Sequence, residues 1–325
     1  MANVRALSAI LALLPSMMLP AGESSADTYP SHSVRLIVPF AAGGPTDVIA
    51  RIVAQKLSEA WGQQVYTENV PGAGGNTGVT MAARAPADGY TMLVVSTGFI
   101  VNPSMYAKIS YDPVKDFAPI TLVAASPNVI SVNPEFSAKS MKELVALVKA
   151  NPGKFSFAQP ATGSTPHLAG ELFKQKYGLD LITVPFNGAA LAVNSTIGGH
   201  TPIAFTALPP AMSNIKDGKL RGLAVLAKVR SPALPDVPTN AEAGIPDLES
   251  DTLTGIVAPA GTPKEVIARW HDAIVKMVAS PEVKQRLETL GFVPVADTPD
   301  DFGARIKTEI ATWTKVIRDA GIQPQ

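Results

Sequence analysis

A repeated tripeptide constrains what this chain folds into. Val-Pro-Phe stands at residues 38–40 and again at residues 184–186, and each copy closes an apolar, strand-like run. Each copy is followed within four residues by glycine and then by a helical pattern. A strand end, a glycine loop and a helix N-terminus together point backbone N–H groups at a ligand. The sequence therefore predicts two similar lobes that face one ligand.

Strand patterns alternate with helical patterns along most of the chain. An apolar strand is predicted over residues 34–40, and a helix follows it over 45–61, with proline at the first helical position. Further strands are predicted over 64–68 and 90–95, and a second series of the same kind runs over 140–226. This alternation is typical of an α/β fold, with a mostly parallel sheet flanked by helices in each lobe.

Two strands are predicted to cross between the lobes. The strand at 117–125 leads out of the first lobe, and the strand at 252–258 returns to it. Lobe 1 is therefore expected to comprise residues 27–126 and 252–325, and lobe 2 residues 127–251. Two crossing strands form a hinge that permits closure over a ligand.

The C-terminal part of the chain predicts three helix starts. Residues 262–265 read Thr-Pro-Lys-Glu, which is a capping box. Ser280 and Thr298 each precede a proline and an acidic residue, so each is expected to begin a helix. An apolar strand is also predicted over 128–132, separated from the strand at 117–125 by a Ser-Pro break.

The first 26 residues have the composition of a cleaved signal peptide. Arg5 precedes an almost wholly apolar run over 7–19, and small residues at 24–26 suit a signal peptidase. The run is too short to span a membrane, although a membrane anchor is the alternative. The chain has no cysteine, which excludes disulfides, a thiol nucleophile and lipid attachment to cysteine. We expect an unlipidated protein in the periplasm of a Gram-negative bacterium.

Charge and motif content exclude several functions. The 27 basic and 27 acidic residues cancel, so the chain lacks the basic face that nucleic acid requires. It contains no G-x-S-x-G or H-E-x-x-H motif, and His32, His167, His200 and His271 are not at metal-ligand spacing. We expect no catalysis, no metal and no cofactor. A hydrolase with a triad built from distant residues is the alternative.

The loop at 40–47 is the first candidate site. Its N–H groups and the Thr46 hydroxyl are expected to hold a carboxylate at the positive end of a helix. Asp47 is expected to orient the loop by accepting N–H bonds rather than to contact an anion. A plain β-α turn is the alternative. The candidate contacts are Phe40, Ala42, Gly43, Gly44, Thr46 and Asp47.

Two further segments of the first lobe carry candidate residues. The loop at 71–78 resembles a dinucleotide fingerprint but has Thr77 where the last glycine belongs, and it has no P-loop lysine. We expect the backbone of this loop to approach closely at the cleft, and Asn76 or Thr77 to cap the next helix. Ser96 and Thr97 end a strand. Asn76, Ser96 and Thr97 are candidate ligand contacts.

The second lobe supplies the other candidate contacts. The loop at 162–167 ends a strand and opens a helix. Helix capping by Thr165 and a structural role for His167 are the alternatives to ligand contact. Phenylalanine rings are expected to wall the cleft or to pack in the core. The candidates are Thr162, Gly163, Ser164, Thr165, His167, Phe186, Asn187, Gly188 and Phe205.

Longer motifs resemble one known family. They lie at residues 38–47, 68–75, 86–91, 166–171, 234–244 and 258–263. In these segments the chain resembles the substrate-binding proteins of tripartite tricarboxylate transporters, the Bug family, and the resemblance covers nearly all of residues 29–322.

The resemblance implies a two-lobed periplasmic binding protein of the type II kind that closes like a flytrap. It implies a small carboxylate ligand, with one carboxyl group in the loop at 40–47 and the other end at 162–167 and 186–188. It also implies a monomer that delivers its ligand to a two-subunit permease of the inner membrane. A protein that signals to a sensor kinase, or a binder of an amino acid or nicotinate-like compound, is the alternative.

Two positions depart from the family pattern. Family members usually carry aspartate at the position of Pro202, and often at that of Asn194. An acid that faces the cleft would help to capture an amino group. Its loss is therefore expected to favour a di- or tricarboxylate or an aromatic acid over an amino acid.

Overall fold

The computed structural model describes residues 29–319, so the predicted signal peptide lies outside the described residues. The strands are β1 (Val34–Val38), β2 (Val65–Asn69), β3 (Thr91–Ser96), β4 (Phe117–Val132), β5 (Ser156–Gln159), β6 (Ile182–Pro185), β7 (Ile203–Ala207), β8 (Arg221–Val225), β9 (Asp251–Pro259) and β10 (Val293–Pro294). The helices are α1 (Pro45–Trp61), α2 (Asn76–Ala83), α3 (Thr97–Met105), α4 (Met141–Ala150), α5 (Thr165–Tyr177), α6 (Ala189–Ile197), α7 (Leu208–Lys216), α8 (Lys264–Ala279), α9 (Pro281–Thr289) and α10 (Pro299–Asp319), with a 3₁₀ turn at Ala73–Gly75.

The strands form one sheet with two halves, and β4 runs through both. Residues 117–127 of β4 pair with β9 in the first half, and residues 128–132 pair with β7 and β8 in the second. The strand order is β2-β1-β3-β9-β4 in the first half and β6-β5-β7-β4-β8 in the second. In the first half, β9 is antiparallel to the other four strands of this order. In the second half, β4 is antiparallel to the other four. This confirms the prediction of two mostly parallel lobes joined by two crossing strands.

We call the first half and its helices lobe 1, and the second half and its helices lobe 2. In lobe 1, α1, α8 and α9 cover one face of the sheet, and α2, α3 and α10 cover the other. In lobe 2, α4 and α5 cover one face, and α6 and α7 cover the other. Trp270 lies in one hydrophobic core of lobe 1, and Phe157 lies in one hydrophobic core of lobe 2. Neither side chain has exposed surface. Each half of the sheet is thus sandwiched between helices.

Most predicted elements are present with bounds shifted by two residues or fewer. The predicted Ser-Pro break at 126–127 is wrong, because both residues lie inside β4. Pro127 has no N–H, and it lies where β4 leaves β9 and joins β7. The predicted capping box is also wrong. Thr262 donates its hydroxyl to the carbonyl of Pro259, and α8 begins at Lys264 without a side-chain cap. Within residues 29–319 no helix has both the length and the apolar composition of a membrane span.

Candidate functional site

Six helices begin at the carboxyl ends of parallel strands. In lobe 1, α1, α2 and α3 follow β1, β2 and β3, and in lobe 2, α5, α6 and α7 follow β5, β6 and β7. Ligands of open α/β sheets bind outside this edge. Four of these six helices, namely α1, α2, α6 and α7, have no side-chain cap. In α1, α2 and α6 the first-turn N–H groups are therefore not satisfied by a capping side chain and point toward the same edge. In α7, Pro209 and Pro210 occupy the first turn and supply no N–H.

The loop between β1 and α1 is held from inside by Asp47. The carboxylate accepts hydrogen bonds from the Gly43 amide (3.0 Å), Arg51 Nε (2.9 Å) and Asn69 Nδ2 (2.9 Å). Asn69 also donates to the carbonyl of Phe40 at 3.0 Å. The prediction that Asp47 orients the loop by accepting N–H bonds is confirmed.

Asp47 carries a compensated negative charge. Its side chain is almost fully buried, and burial raises the pKa of the carboxyl. The hydrogen bonds from Arg51, Gly43 and Asn69 outweigh burial and hold the pKa below its ordinary value. The carboxylate is thus ionised at neutral pH, and Arg51 balances it, so repulsion of an anionic ligand is reduced.

The outer part of the same loop is open. Ala42 and Gly43 are exposed, and Gly44 is half-buried. Thr46 is 4% exposed, and among the described residues its hydroxyl has no hydrogen-bond partner. The loop therefore offers the Thr46 hydroxyl and the backbone N–H groups other than that of Gly43, which Asp47 binds.

The three loops of lobe 1 meet around the ring of Phe40. A Cβ atom at Gly75 would lie 3.2 Å from Cζ of Phe40, and one at Gly98 would lie 3.7 Å from the same atom. Gly75 precedes α2, and Gly98 lies in the first turn of α3. Phe40 is half-buried. Its ring therefore lies where the three loops meet, and its role as a wall of the site stays a prediction.

The polar candidates of the second and third loops are engaged within the protein. Asn76 Oδ1 accepts from Asn102 Nδ2 (2.8 Å) and from the Tyr111 hydroxyl (3.0 Å). Gly75 is the N-cap of α2, so the prediction that Asn76 or Thr77 caps this helix is wrong. The buried Ser96 caps α3 by accepting the Gly98 amide, and the buried Thr97 accepts the Leu253 amide at 3.4 Å. Asn76 thus accepts two hydrogen bonds within the protein, and Ser96 and Thr97 accept one each.

In lobe 2, the loop between β5 and α5 has its own internal bonds. Ser164 is the N-cap and accepts the His167 amide at 3.3 Å, so the prediction of capping by Thr165 is wrong. The hydroxyls of Thr165 and Thr252 lie 2.6 Å apart. His167 is 7% exposed, and its Nδ1 accepts the Gly163 amide at 3.2 Å. The imidazole is therefore part of the loop structure.

The loop between β6 and α6 lies beside this first loop of lobe 2. The Phe186 amide donates to the carbonyl of Gln159, and the Gly188 amide donates to that of Pro160, both at 2.9 Å. Asn187 is exposed, and Phe186 is half-buried. The two loops thus form one continuous rim.

Phe205 does not line the cleft. It has no exposed surface and packs against Phe157 and Phe173, with ring centroids 5.1 and 5.7 Å apart. On β7 its side chain belongs to the face covered by α4 and α5. The prediction of Phe205 as a cleft wall is therefore corrected, because its side chain fills the core of lobe 2.

The two lobes touch at this edge. A Cβ atom at Gly163 of lobe 2 would lie 3.1 Å from Oδ1 of Asn102 in lobe 1. Beside this contact, Leu168 packs with Val101 and Met105 of α3. The loops of both lobes therefore belong to one site rather than to two separate surfaces.

A known family matches this architecture. A model described as "Tripartite tricarboxylate transporter family receptor" matches residues 49–322. The chain belongs to this receptor family. Its members are substrate-binding receptors rather than enzymes.

Several members of the receptor family are similar over nearly their whole length. BugT of Bordetella pertussis is 36% identical over 321 residues, which cover 98% of each chain. The solved structure of R. palustris Rpa4515 with adipate is 34% identical, with a TM-score of 0.89, and the match covers 91% of this chain and all of that one. MatC from Rhodopseudomonas palustris, solved with bound malate, is 30% identical with a TM-score of 0.83, covering 89% of this chain and all of that one.

The two departures from the receptor family pattern lie away from the cleft edge. Pro202 precedes β7, at the end of the strand opposite to α7, and lines a shallow depression of about 530 Å³ with Asn133 and Lys219. Asn194 is exposed in the second half of α6, away from the N-terminus of that helix. The expectation that an acid at these positions faces the cleft is wrong, so they carry no preference between an amino acid and a carboxylate.

Sequence reasoning missed three side chains that hold the loops of this receptor. Arg51 lies four residues after Asp47, a spacing that predicts an ion pair on a helix. Asn69 reaches Asp47 because β1 and β2 are parallel, with Val38 beside Asn69. Asn102 carried no signal in the sequence, since it lies inside a helix that was not predicted. Among residues 29–319 no cluster of three or more potential ligands could hold a metal.

Proposed function

We propose that this protein is a periplasmic solute-binding protein that captures a small organic carboxylate between its two lobes. The preferred class is a di- or tricarboxylate, because related structures hold adipate and malate, and an aromatic acid is a further candidate. The observation that carries the proposal is the group of uncapped N-termini of α1, α2 and α6 at the carboxyl edges of both half-sheets. Unsatisfied N–H groups at a helix start bind anions without a charged side chain.

Binding by neutral donors suits a solute that must be released again. The loop at 40–47 supplies backbone N–H groups and the Thr46 hydroxyl, while Asp47 is already paired with Arg51. The proposed contacts of lobe 1 are Phe40, Ala42, Gly43, Gly44 and Thr46, with Asn76, Ser96 and Thr97 behind them. Those of lobe 2 are Thr162, Ser164, Phe186, Asn187 and Gly188. Asp47, Gly163, Thr165 and His167 are proposed to hold these loops in place.

The related structures with adipate and with malate support a carboxylate as the ligand class. Residues 27–126 and 252–325 are proposed to move as lobe 1, and residues 127–251 as lobe 2, about the crossing strands β4 and β9. Residues 1–26 are proposed to direct export to the periplasm. The family supports a two-subunit inner-membrane permease as the partner that receives the ligand.

A thermal-shift panel tests the proposed function. The panel contains mono-, di- and tricarboxylates, aromatic acids, amino acids and the amides of the same acids as matched neutral controls. A ligand at 100 times its dissociation constant stabilises the native state by about 2.7 kcal/mol. We expect at least one acid to raise the melting temperature by several degrees and its amide to leave it unchanged. No shift with any acid at millimolar concentration would contradict the proposal.

A further inference from the structure

The loop between β1 and α1 and the loop between β5 and α5 are held by the same kind of hydrogen bond. Gly43 and Gly163 each precede the N-cap of a helix, and both have positive φ, at +86° and +80°. Each glycine amide donates to a side chain four residues later, Gly43 to Asp47 and Gly163 to His167. The loops follow β1 and β5, which hold the same position in the strand orders of the two halves. Each loop is thus shaped by one acceptor on the third residue of its helix.

The two acceptors differ in chemistry. The Asp47 carboxylate accepts hydrogen bonds at any pH above its lowered pKa. The imidazole of His167 accepts at Nδ1 only when it is neutral and carries its proton on Nε2. Protonation would place an N–H on Nδ1 directly opposite the N–H of Gly163. The lobe 2 loop therefore depends on a neutral imidazole, whereas the lobe 1 loop does not.

The surroundings of His167 keep it neutral. Burial lowers the pKa of the imidazole, Glu171 raises it and Lys174 lowers it, and the result lies below the ordinary value. Glu171 is 3.8 Å from Nε2, but it also pairs with Lys174 at 2.9 Å and accepts the hydroxyl of Thr183 on β6. The Glu171 carboxylate therefore also binds Lys174 and Thr183, so its charge is not available to His167 only.

Within residues 29–319, the charged groups that shift the pKa of His167 are Glu171 and Lys174 of α5 itself. From β9, Thr252 contacts Thr165 through its hydroxyl, and α3 presents Asn102 to Gly163. The neighbouring Leu168 packs against apolar residues of α3 and α10. A proton added at Nδ1 of His167 would thus face the amide N–H of Gly163, while Glu171 faces Nε2 on the other side of the ring.

We propose that His167 is the positioning residue of the lobe 2 ligand loop, and that its neutral imidazole holds residues 162–165 in the shape that binds the ligand. This inference rests on the proposed function. It implies that ligand affinity is constant above the ordinary titration range of histidine and falls as the pH drops below it. The sign follows because the bound loop requires the unprotonated ring.

Binding measured against pH tests this role. The variants are His167→Asn, which offers Oδ1 in place of Nδ1 but does not titrate, and His167→Ala, which removes the acceptor. The probe is the carboxylate with the largest thermal shift in the panel, measured by calorimetry between pH 5 and 8. His32→Asn is the matched control, because His32 is exposed in lobe 1. All four proteins experience the same titration of the ligand itself.

We expect wild type and His32→Asn to lose affinity together as the pH falls below the ordinary histidine value of about 6.5 and passes through the lowered pKa of His167. The ligand affinity of His167→Asn should stay within about threefold of wild type at pH 8. At lower pH this variant should lose only the affinity that protonation of the ligand itself removes. His167→Ala should bind about 3- to 10-fold more weakly at pH 8, as for the loss of one hydrogen bond. An Asn variant with the wild-type pH profile, or an Ala variant with wild-type affinity at pH 8, would overturn the proposal.

A second measurement needs no ligand. Nitrogen NMR of the free protein should find His167 protonated on Nε2, and the Gly163 amide resonance should shift as the ring titrates. A proton on Nδ1 at pH 8, or a Gly163 amide that does not follow the ring, would overturn the proposal even if no carboxylate bound. If these spectra are as expected and no acid of the panel binds, the hydrogen bond between His167 and Gly163 is confirmed and the proposed function is contradicted.

Discussion

Nδ1 of His167 lies 3.2 Å from the amide of Gly163, and this bond mirrors the one between Asp47 and Gly43 in the other lobe. The correspondence between the lobes is therefore found in these loops rather than in the repeated Val-Pro-Phe. The two copies of the tripeptide end β1 and β6, which occupy different positions in their half-sheets. The second copy adds a neighbouring loop to the same rim.

Removing the Asp47 carboxylate should loosen the lobe 1 loop. Asp47→Ala leaves the Gly43 amide without its acceptor and removes one of the two acceptors of Asn69. We expect this to cost about 1–3 kcal/mol of the free energy of unfolding and at least tenfold in ligand affinity. Urea unfolding and calorimetry measure the two effects. Asp236→Asn, at an exposed position of lobe 2, is the control and should change neither. Wild-type affinity in Asp47→Ala would contradict this role.

The same carboxyl group predicts a pH dependence of stability. The pKa of Asp47 is lowered in the folded protein, so its contribution is complete above the ordinary carboxyl range and is lost as the pH falls through the lowered value. The difference in unfolding free energy between wild type and Asp47→Asn should be full at pH 7 and shrink below about pH 4. A difference that stays constant from pH 7 to pH 3 would show that the charge of Asp47 contributes nothing.

Gly163 should tolerate no side chain. In Gly163→Ala the residue has φ of +80°, and its Cβ would lie 3.1 Å from Oδ1 of Asn102. Gly178→Ala is the matched control, because φ is +60° there and no atom lies within 4 Å of the Cβ position. The control should lose only about 1–2 kcal/mol from the left-handed backbone and bind as wild type. Gly163→Ala should lose more stability and at least tenfold in affinity. Equal behaviour of the two variants would rule out a tight contact between the lobes at this point.

The hydroxyl pair of Thr165 and Thr252 should affect binding as well as stability. Thr252 also donates to Asn128, where β4 enters lobe 2, so the pair joins the ligand loop to the crossing strands. Thr165→Val should weaken ligand affinity by about 3- to 10-fold. Thr201→Val breaks a hydroxyl pair with Ser195 inside lobe 2 and should lower the melting temperature only. The prediction fails if both variants bind as wild type.

Substitutions of two phenylalanines should distinguish a core position from a position in the site. Phe205→Ala should destabilise the protein by about 3–5 kcal/mol, because it empties a buried position between Phe157 and Phe173. Phe186→Ala should cost less, because this ring is half-buried, but it should reduce ligand affinity. Chemical unfolding and calorimetry on the two variants give the comparison. A loss of affinity in Phe205→Ala that exceeds the loss in Phe186→Ala would reverse the assignment.

Local sequence signals predicted the fold well where they agree with the pairing of strands. The glycine before α1, the proline at its first position and the bounds of α6 are examples. Helices α3 and α7 were not predicted, and both contain proline. In α7 the prolines occupy the first turn, where a missing N–H costs nothing, and in α3 Pro103 lies close to the C-terminus.

The site was less predictable, because its geometry depends on contacts between distant segments. The loop at 40–47 and the role of Asp47 followed from residue types that are close in sequence. Phe205 was misplaced because a strand pattern alone does not tell which face meets the cleft. The relationship between His167 and Gly163 was visible as a glycine four residues before a polar side chain, but the repeated Val-Pro-Phe drew the comparison to the wrong pair of strands.

Isothermal titration calorimetry of wild type with the best acid of the panel tests the central claim most directly. The acid is titrated beside its amide, which keeps the shape of the ligand and removes the negative charge. We predict one site per chain, saturation at micromolar concentration or below, and at least tenfold weaker binding of the amide. Equal binding of acid and amide, or no heat with any acid of the panel, would contradict carboxylate capture by the two lobes.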